Sequence, residues 1–349
     1  MKKIILVFAA MICSLLNGRV FAQDVQTAVL QHGDELKVFY GSYALRDALS
    51  NAQHGDDITL SAGTFSVSEI KKSVSIHGSG FVNDPENNRF RTVLDGTIFI
   101  NLPEEYPGFL LEGIYNGGNI YLENNIGATI NACFISNLHF GMEGSSSPFL
   151  TENCIISNSR ISRIEFNNNT HKNLCLYNDI IGYLLPNNYN SNLHVDHCVI
   201  AISGSYLFKP NTGITGGGYD SHEGKIYGRF TNSIINYPTR NTVCSAYNNI
   251  IGGQNFNTAD QHGNVLLSIS EINDLFISSK MGDDANILVM DYKLKDNPLM
   301  GTDGTPVGIY GGEAPFNDIP GIPQIVSKEI SSQSDAEGKL SVKIKVQTN

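Results

Sequence analysis

Arg160 and Arg163, with Lys172 close behind, gather positive charge on a chain that is otherwise acidic. A guanidinium beside a carboxylated substrate neutralises it, or removes a proton as a general base. The stretch N-T-G-I-T-G-G-G-Y-D-S-H-E-G-K (211–225) groups Tyr219, Asp220, His222, Glu223 and Lys225. Loops longer than their scaffold requires often carry function. Arg160, Arg163, Tyr219, Asp220, His222 and Glu223 are therefore the candidate substrate-binding residues. No catalytic residue is assigned. Inverting glycoside hydrolysis needs two carboxyl groups roughly 6.5–9.5 Å apart, and no motif demonstrates that pair. No C-x-x-C occurs, so no zinc site is expected, and no cofactor is implied.

Those side chains need elements to hold them, and a repeat supplies the elements. I-N-A-C-F-I-S-N (130–137) returns as T-E-N-C-I-I-S-N (151–158). Variants follow at 176–183, 195–202, 230–237 and 246–253. Aligned on the second apolar residue, the copies put Ile135, Ile156, Ile181, Ile200, Ile235 and Ile251 in one column. Three places earlier stand Ala132, Asn153, Asn178, His197, Asn232 and Asn248. The mean spacing of about 23 residues marks a stacked solenoid. Each copy is too short and too β-branched for a helix. Asn tolerates the left-handed backbone of a sharp corner, and its amide can bond the same group one repeat away. Ile135, Ile156, Ile181 and Ile200 are expected to form one interior stack at a strand spacing of about 4.8 Å. Arg160, four residues after Ile156, then projects from the following strand. The 211–225 loop must fold back across about two repeats, roughly 10 Å, to meet it.

The chain opens with Lys2-Lys3, an apolar run from Ile4 to Leu16, and Val20-Phe21-Ala22. This is the pattern of a secretory signal, residues 1–22, with cleavage expected after Ala22. The run is too short for a bilayer, which needs about 20 residues, and no integral membrane segment is expected. Cleavage removes Lys2, Lys3 and Arg19 and no acid, so 23 basic residues become 20 against 34 acids, a formal charge of −14. Such a surface repels polyanions, which excludes nucleic acid as a partner. Five cysteines remain: Cys133, Cys154, Cys175, Cys198 and Cys244. An odd count leaves at least one thiol unpaired, and Cys133 and Cys154 are expected as free, buried thiols.

A-L-R-D-A-L-S-N-A (44–52), an amphipathic helix, precedes G-D-D-I-T-L-S-A-G-T-F (55–65), and G-T-D-G-T-P-V-G-I-Y-G-G (301–312) lies at the far end. With the asparagine-marked repeats between them, residues 40–312 resemble the pectin lyase-like β-helix proteins, in particular exported bacterial members without assigned activity. The resemblance implies an all-β chain: a single-stranded right-handed parallel β-helix with a short helical N-terminal cap, spanning 23–312. Residues 313–349 then form a proline-marked linker and a C-terminal β-hairpin, with Leu340, Val342, Ile344 and Val346 alternating with polar residues. That hairpin docks on the last coil or pairs with another molecule, docking being the preferred reading. Members of this group cleave acidic polysaccharides with motifs this chain lacks. His194-Val195-Asp196-His197 is similar to the Trp-Ile-Asp-His of pectate lyases, but the chain has no Trp and no Arg-x-Pro-x-x-Arg. Asp196 and His197 are thus weaker candidates, His197 standing in a corner given to Asn in four of the six copies. The expectation is an exported protein, secreted, periplasmic or at the cell surface, that binds a polysaccharide, a cell-surface glycan or another extracellular partner without catalysis. The alternative is a polysaccharide lyase or glycoside hydrolase working in an exterior groove.

Overall fold

The computed structural model describes residues 25–87, 89–142, 150–166, 170–185, 190–201, 227–236, 243–253, 256, 258–279, 281, 290–295, 299–321, 324–330 and 342–347. The expected signal at 1–22 lies outside the described residues. Nearly all the regular elements among the described residues are strands, with two α-helices. No helix among the described residues is long and apolar enough to cross a membrane.

The N-terminal end is closed by more than the expected helix. Ala44–Asn51 buries Ala44, Leu45, Ala48 and Leu49 along one face, the pattern its sequence dictates. Ahead of it, Thr27–His32 pairs antiparallel with Glu35–Tyr40 on one side and with Asp57–Leu60 on the other. The cap thus joins the first strand of the repeat through backbone hydrogen bonds.

Two parallel ladders follow, compatible with a β-helix. The first runs from Asp57–Leu60 through Phe109–Glu112, Ala128–Asn131 and Ile155–Ser157 to Val243–Tyr247. The second includes Phe134–Phe140, Arg160–Phe166, Ile180–Leu185 and Ile250–Gly252. Here the expected isoleucine column needs correction. Ile135 pairs with Ile161, then Ile181, Ile200, Ile235 and Ile251. Ile156 belongs to the first ladder, between Ile130 and Leu176. Both columns are buried, so the interior placement of Ile156 holds while its register does not.

The physical reason is that each repeat has two similar corners. Asn153, Asn173 and Asn192 occupy one, with φ of 55°, 54° and 59°. Ala132, Asn158, Asn178, His197, Asn232 and Asn248 occupy the other, with φ between 48° and 54°. The octet 151–158 begins at the first corner and ends at the second. Matching it to 130–137 therefore slid the alignment by one strand. The two columns also differ in use. Asn173 Nδ2 donates to Asn153 Oδ1 at 2.9 Å and Asn192 Nδ2 to Asn173 Oδ1 at 3.1 Å, the expected amide ladder. The second corner instead holds the C-terminal segment.

Residues 299–321 run backwards along that second corner. Thr302 meets Asn232, and His197 faces Asp303 and Gly308 O. Asn178 Nδ2 donates to Ile309 O at 2.9 Å and Gly311 O at 2.8 Å. Asn317 N donates to Asn158, Arg89 pairs with Asp318, and Gly321 N reaches Glu112. A Cβ on Gly311 would strike Pro306 O and the His197 ring, so only glycine permits this approach. The proline-marked stretch is therefore a strap rather than a free linker, at least to Gly321.

The strap explains the aliphatic pair in each repeat. The second member faces the main core. The first, at Phe134, Ile180, Val199, Ile234 and Ile250, faces outward into a second cluster with Ile272, Phe276, Met281, Tyr292, Val307 and Ile309. The helix Ile269–Leu275, started by a Ser268–Glu271 capping box, supplies part of that cover.

Among the described cysteines, Cys175, Cys198 and Cys244 are free, and Cys133 and Cys154 are free and buried, as expected. Burial pushes their thiols up to about 12 and about 11. They lie at different corners, so they do not stack on each other. Cys175 is half-exposed, on the outer face of the first ladder between Ile155 and His194.

Residues just after the second corner form a buried polar row. Cys133 N donates to Ser159 Oγ, Ser159 N to Asp179 Oδ1 and Ser233 N to Asn249 Oδ1. Asp179 is fully buried and its Oδ2 has no partner among the described residues. Burial holds its carboxyl well above the ordinary value of 3.8, outweighing the Ser159 and Tyr177 amides that pull it down. The folded state therefore keeps a proton that the unfolded chain releases above 3.8. The stability this group contributes is full below that value and declines as pH rises toward the folded pKa. Asp179→Asn retains the acceptor for Ser159 N and is expected to remove that decline. Urea unfolding over a pH series checks it; an unchanged pH slope would assign the dependence to another group.

Candidate functional site on the outer face of the second ladder

Beyond the strap, the outer face of the second ladder is built from side chains two apart, as strand alternation requires. Asn119 and Tyr121, Asn137 and His139, and Arg163 and Glu165 are in register on adjacent strands. Phe99 and Tyr183 extend the two columns. The Phe99 and Tyr121 rings stack at 5.0 Å, and Tyr121 and His139 at 4.3 Å.

His139 Nδ1 lies 3.0 Å from Glu165 Oε2, and Arg163 Nη1 lies 3.0 Å from Glu165 Oε1. His139 Nε2 faces Asn119 Oδ1 at 3.4 Å, and the Arg163 guanidinium sits 5.6 Å from the Tyr183 ring centre. The hydrogen bond from His139, with its charge and that of Arg163, holds the Glu165 carboxyl below its ordinary value against the opposing effect of burial. Glu165 is therefore an ionised acceptor at neutral pH. Ring faces in this column are turned toward one another, which leaves ring edges, amides and the Arg163–Glu165 pair toward solvent. The face is suited to hydrogen bonding along a row of hydroxyls.

At the end of the strand Ile98–Asn101 the surface forms a shallow, open depression of about 410 Å³ lined by Lys71, Asn101, Leu102, Pro103, Glu104 and Asn124. Asn124 Nδ2 donates to Asn101 Oδ1 at 3.1 Å, and Asn101 Nδ2 to Glu123 Oε2 at 2.9 Å. Lys71 is paired with Glu69 at 2.8 Å.

The structure divides the basic residues that the sequence groups together. Arg163 is 45% exposed. Arg160 is 5% exposed: it takes the outward position in the column of Phe134 and Ile180. Its guanidinium donates to Met290 O and lies over the Phe316 ring. Desolvation lowers its pKa, and it cannot meet a substrate under the strap. Lys172 lies on the first ladder's extension, 4.0 Å from Glu152.

Asp196 Oδ1 accepts from Thr231 Oγ1 at 2.6 Å and Asn232 Nδ2 at 2.9 Å. His197 is 2% exposed, with Nε2 3.0 Å from Asp303 and Nδ1 3.2 Å from Gly308 O. Both hold the corner and the strap together. Tyr219, Asp220, His222 and Glu223 lie outside the described residues, so the proposed meeting of their loop with Arg160 does too.

Sequence reasoning missed Tyr121, His139 and Glu165. The signal that could have found them is the repeated polar-x-polar spacing of Asn119-x-Tyr121, Asn137-x-His139 and Arg163-x-Glu165, read at strand period. No group of three or more metal-ligating side chains occurs among the described residues. No protein-family model matches the chain, and no curated protein matches it.

Proposed function

We propose that this chain is an exported right-handed parallel β-helix of the pectin lyase-like kind that binds a glycan without cleaving it. The observation that carries the reading is the row of Asn119, His139, Glu165 and Arg163 beside the Tyr121 and Tyr183 edges. Paired charges and amides present both donors and acceptors at the strand spacing of about 4.8 Å, which suits the hydroxyls of an extended saccharide. Catalysis is not favoured. A general acid needs a raised pKa and access to substrate. On this face Glu165 is shifted downward, while Asp179, shifted upward, is sealed inside the corner.

The test is a glycan array with the mature chain, followed by analysis of any hit for new reducing ends or unsaturated products. Binding with no product is expected. Arg163→Ala is expected to weaken it about tenfold, the loss of one charge-assisted hydrogen bond, while Arg160→Lys leaves it unchanged. New reducing ends or unsaturated ends that disappear in Glu165→Gln would replace this reading with a hydrolase or lyase.

A further inference from the structure

We propose that the chain forms a closed two-fold dimer in which the C-terminal hairpin of each copy pairs with the N-terminal edge strand of the other. Glu35–Tyr40 is hydrogen-bonded on one side only, to Thr27–His32, among the described residues. Its alternate residues Leu36, Val38 and Tyr40 are 64%, 46% and 69% exposed, while Phe39 packs on the core. An exposed apolar edge of this kind is a template for another strand. At the other end of the chain, Gln324–Ile330 and Val342–Gln347 pair with each other in a separate two-stranded sheet. A lone hairpin is marginally stable in water.

Charge and pattern match the two elements. Val342–Gln347 reads V-K-I-K-V-Q, with Lys343, Lys345 and no acid, while the edge opens on Asp34-Glu35 and carries a single base, Lys37. Leu36, Val38 and Tyr40 stand two apart on the edge, as Val342, Ile344 and Val346 do in the hairpin sequence, so pairing sets apolar positions opposite one another.

The strap decides the symmetry. Gly321 N is 3.2 Å from Glu112 Oε1, and three residues reach at most about 10 Å to Gln324. Glu112 is in register with His77, then Thr59, Val29 and Val38, four strand spacings or about 19 Å. Donor and acceptor therefore lie at the same end of the molecule. Reciprocal exchange closes with two copies; a hairpin docked at the last repeat would instead link copies head to tail into a fibre. The hairpin and the edge of one chain remain unpaired with each other, which leaves the edge to a second copy.

Sedimentation of the full mature chain, alone and with Val38→Lys or Ile344→Lys, tests this. The unmodified chain is expected to be a dimer. Each variant is expected to raise the dimer dissociation constant about tenfold or more, with the circular dichroism spectrum of the repeat retained and the melting temperature no longer dependent on protein concentration. Mixing the two variants is expected to restore dimer, because one edge and one hairpin then remain intact and face each other. A monomeric unmodified chain, a dimer that survives either substitution, or a mixture that stays monomeric each overturns the proposal.

Discussion

Ile180→Ala is expected to destabilise the chain by about 2–5 kcal/mol, while Ile155→Ala stays within about 0.5 kcal/mol. Both residues are the first of an aliphatic pair and look equivalent in the sequence. Ile180 is fully buried beneath the strap, in the cluster with Phe134, Val199 and Ile309. Ile155 is 39% exposed on the first ladder, where no strap covers it among the described residues. Truncating Ile180 removes three carbons from a packed contact on which the strap closes, and a rigid sheet below limits collapse. Ile156→Ala and Ile161→Ala serve as internal controls in the same loss range, since both face the main core. Urea midpoints at constant slope would measure all four. Equal losses at 155 and 180 would contradict a second core on the outside of the second ladder.

Asn178→Ala is expected to cost about 3 kcal/mol or more, through two separable effects. Ala disfavours the left-handed backbone at φ 54°, roughly 1–2 kcal/mol. Loss of the amide also strands the Ile309 and Gly311 carbonyls, at about 1–3 kcal/mol each when they stay buried. Asn178→Gly keeps the backbone geometry and loses only the strap bonds, so it is expected to fall between. Asn173→Gly, at the exposed corner where its amide bonds those of Asn153 and Asn192 in contact with water, is expected to cost about 1 kcal/mol or less. Hydrogen exchange provides a second readout. Gly308 N, bonded to Asn232 O at 2.8 Å, should lose protection in Asn178→Gly and keep it in Asn173→Gly. Equal exchange in the two variants would mean that Asn178 does not anchor the strap.

Two corrections to the sequence reading share one cause. Ile156 and Ile161 each follow an asparagine corner, and a local octet cannot say which corner it contains. Both corners need a left-handed residue, a small or buried residue next, and then an outward residue followed by an inward aliphatic one. Pairing between repeats, from Ile130 to Ile156 and from Ile135 to Ile161, is what separates them. Arg160 and Arg163 likewise carry the same charge three residues apart. Only one falls in the column that the strap covers.

By itself the sequence determined that this chain is a parallel, strand-built repeat with asparagine corners and a helical cap. Those features are local: φ above zero selects Asn, β-branched pairs select strand, and the period counts the residues needed to go round once. Tertiary structure alone decided that 299–321 returns along the second corner. The reason is chemical: the strap is held largely by backbone groups, such as Ile309 O, Gly311 O and the amides of Asn317 and Gly321, and every residue carries those groups, so they leave no trace in side-chain identity.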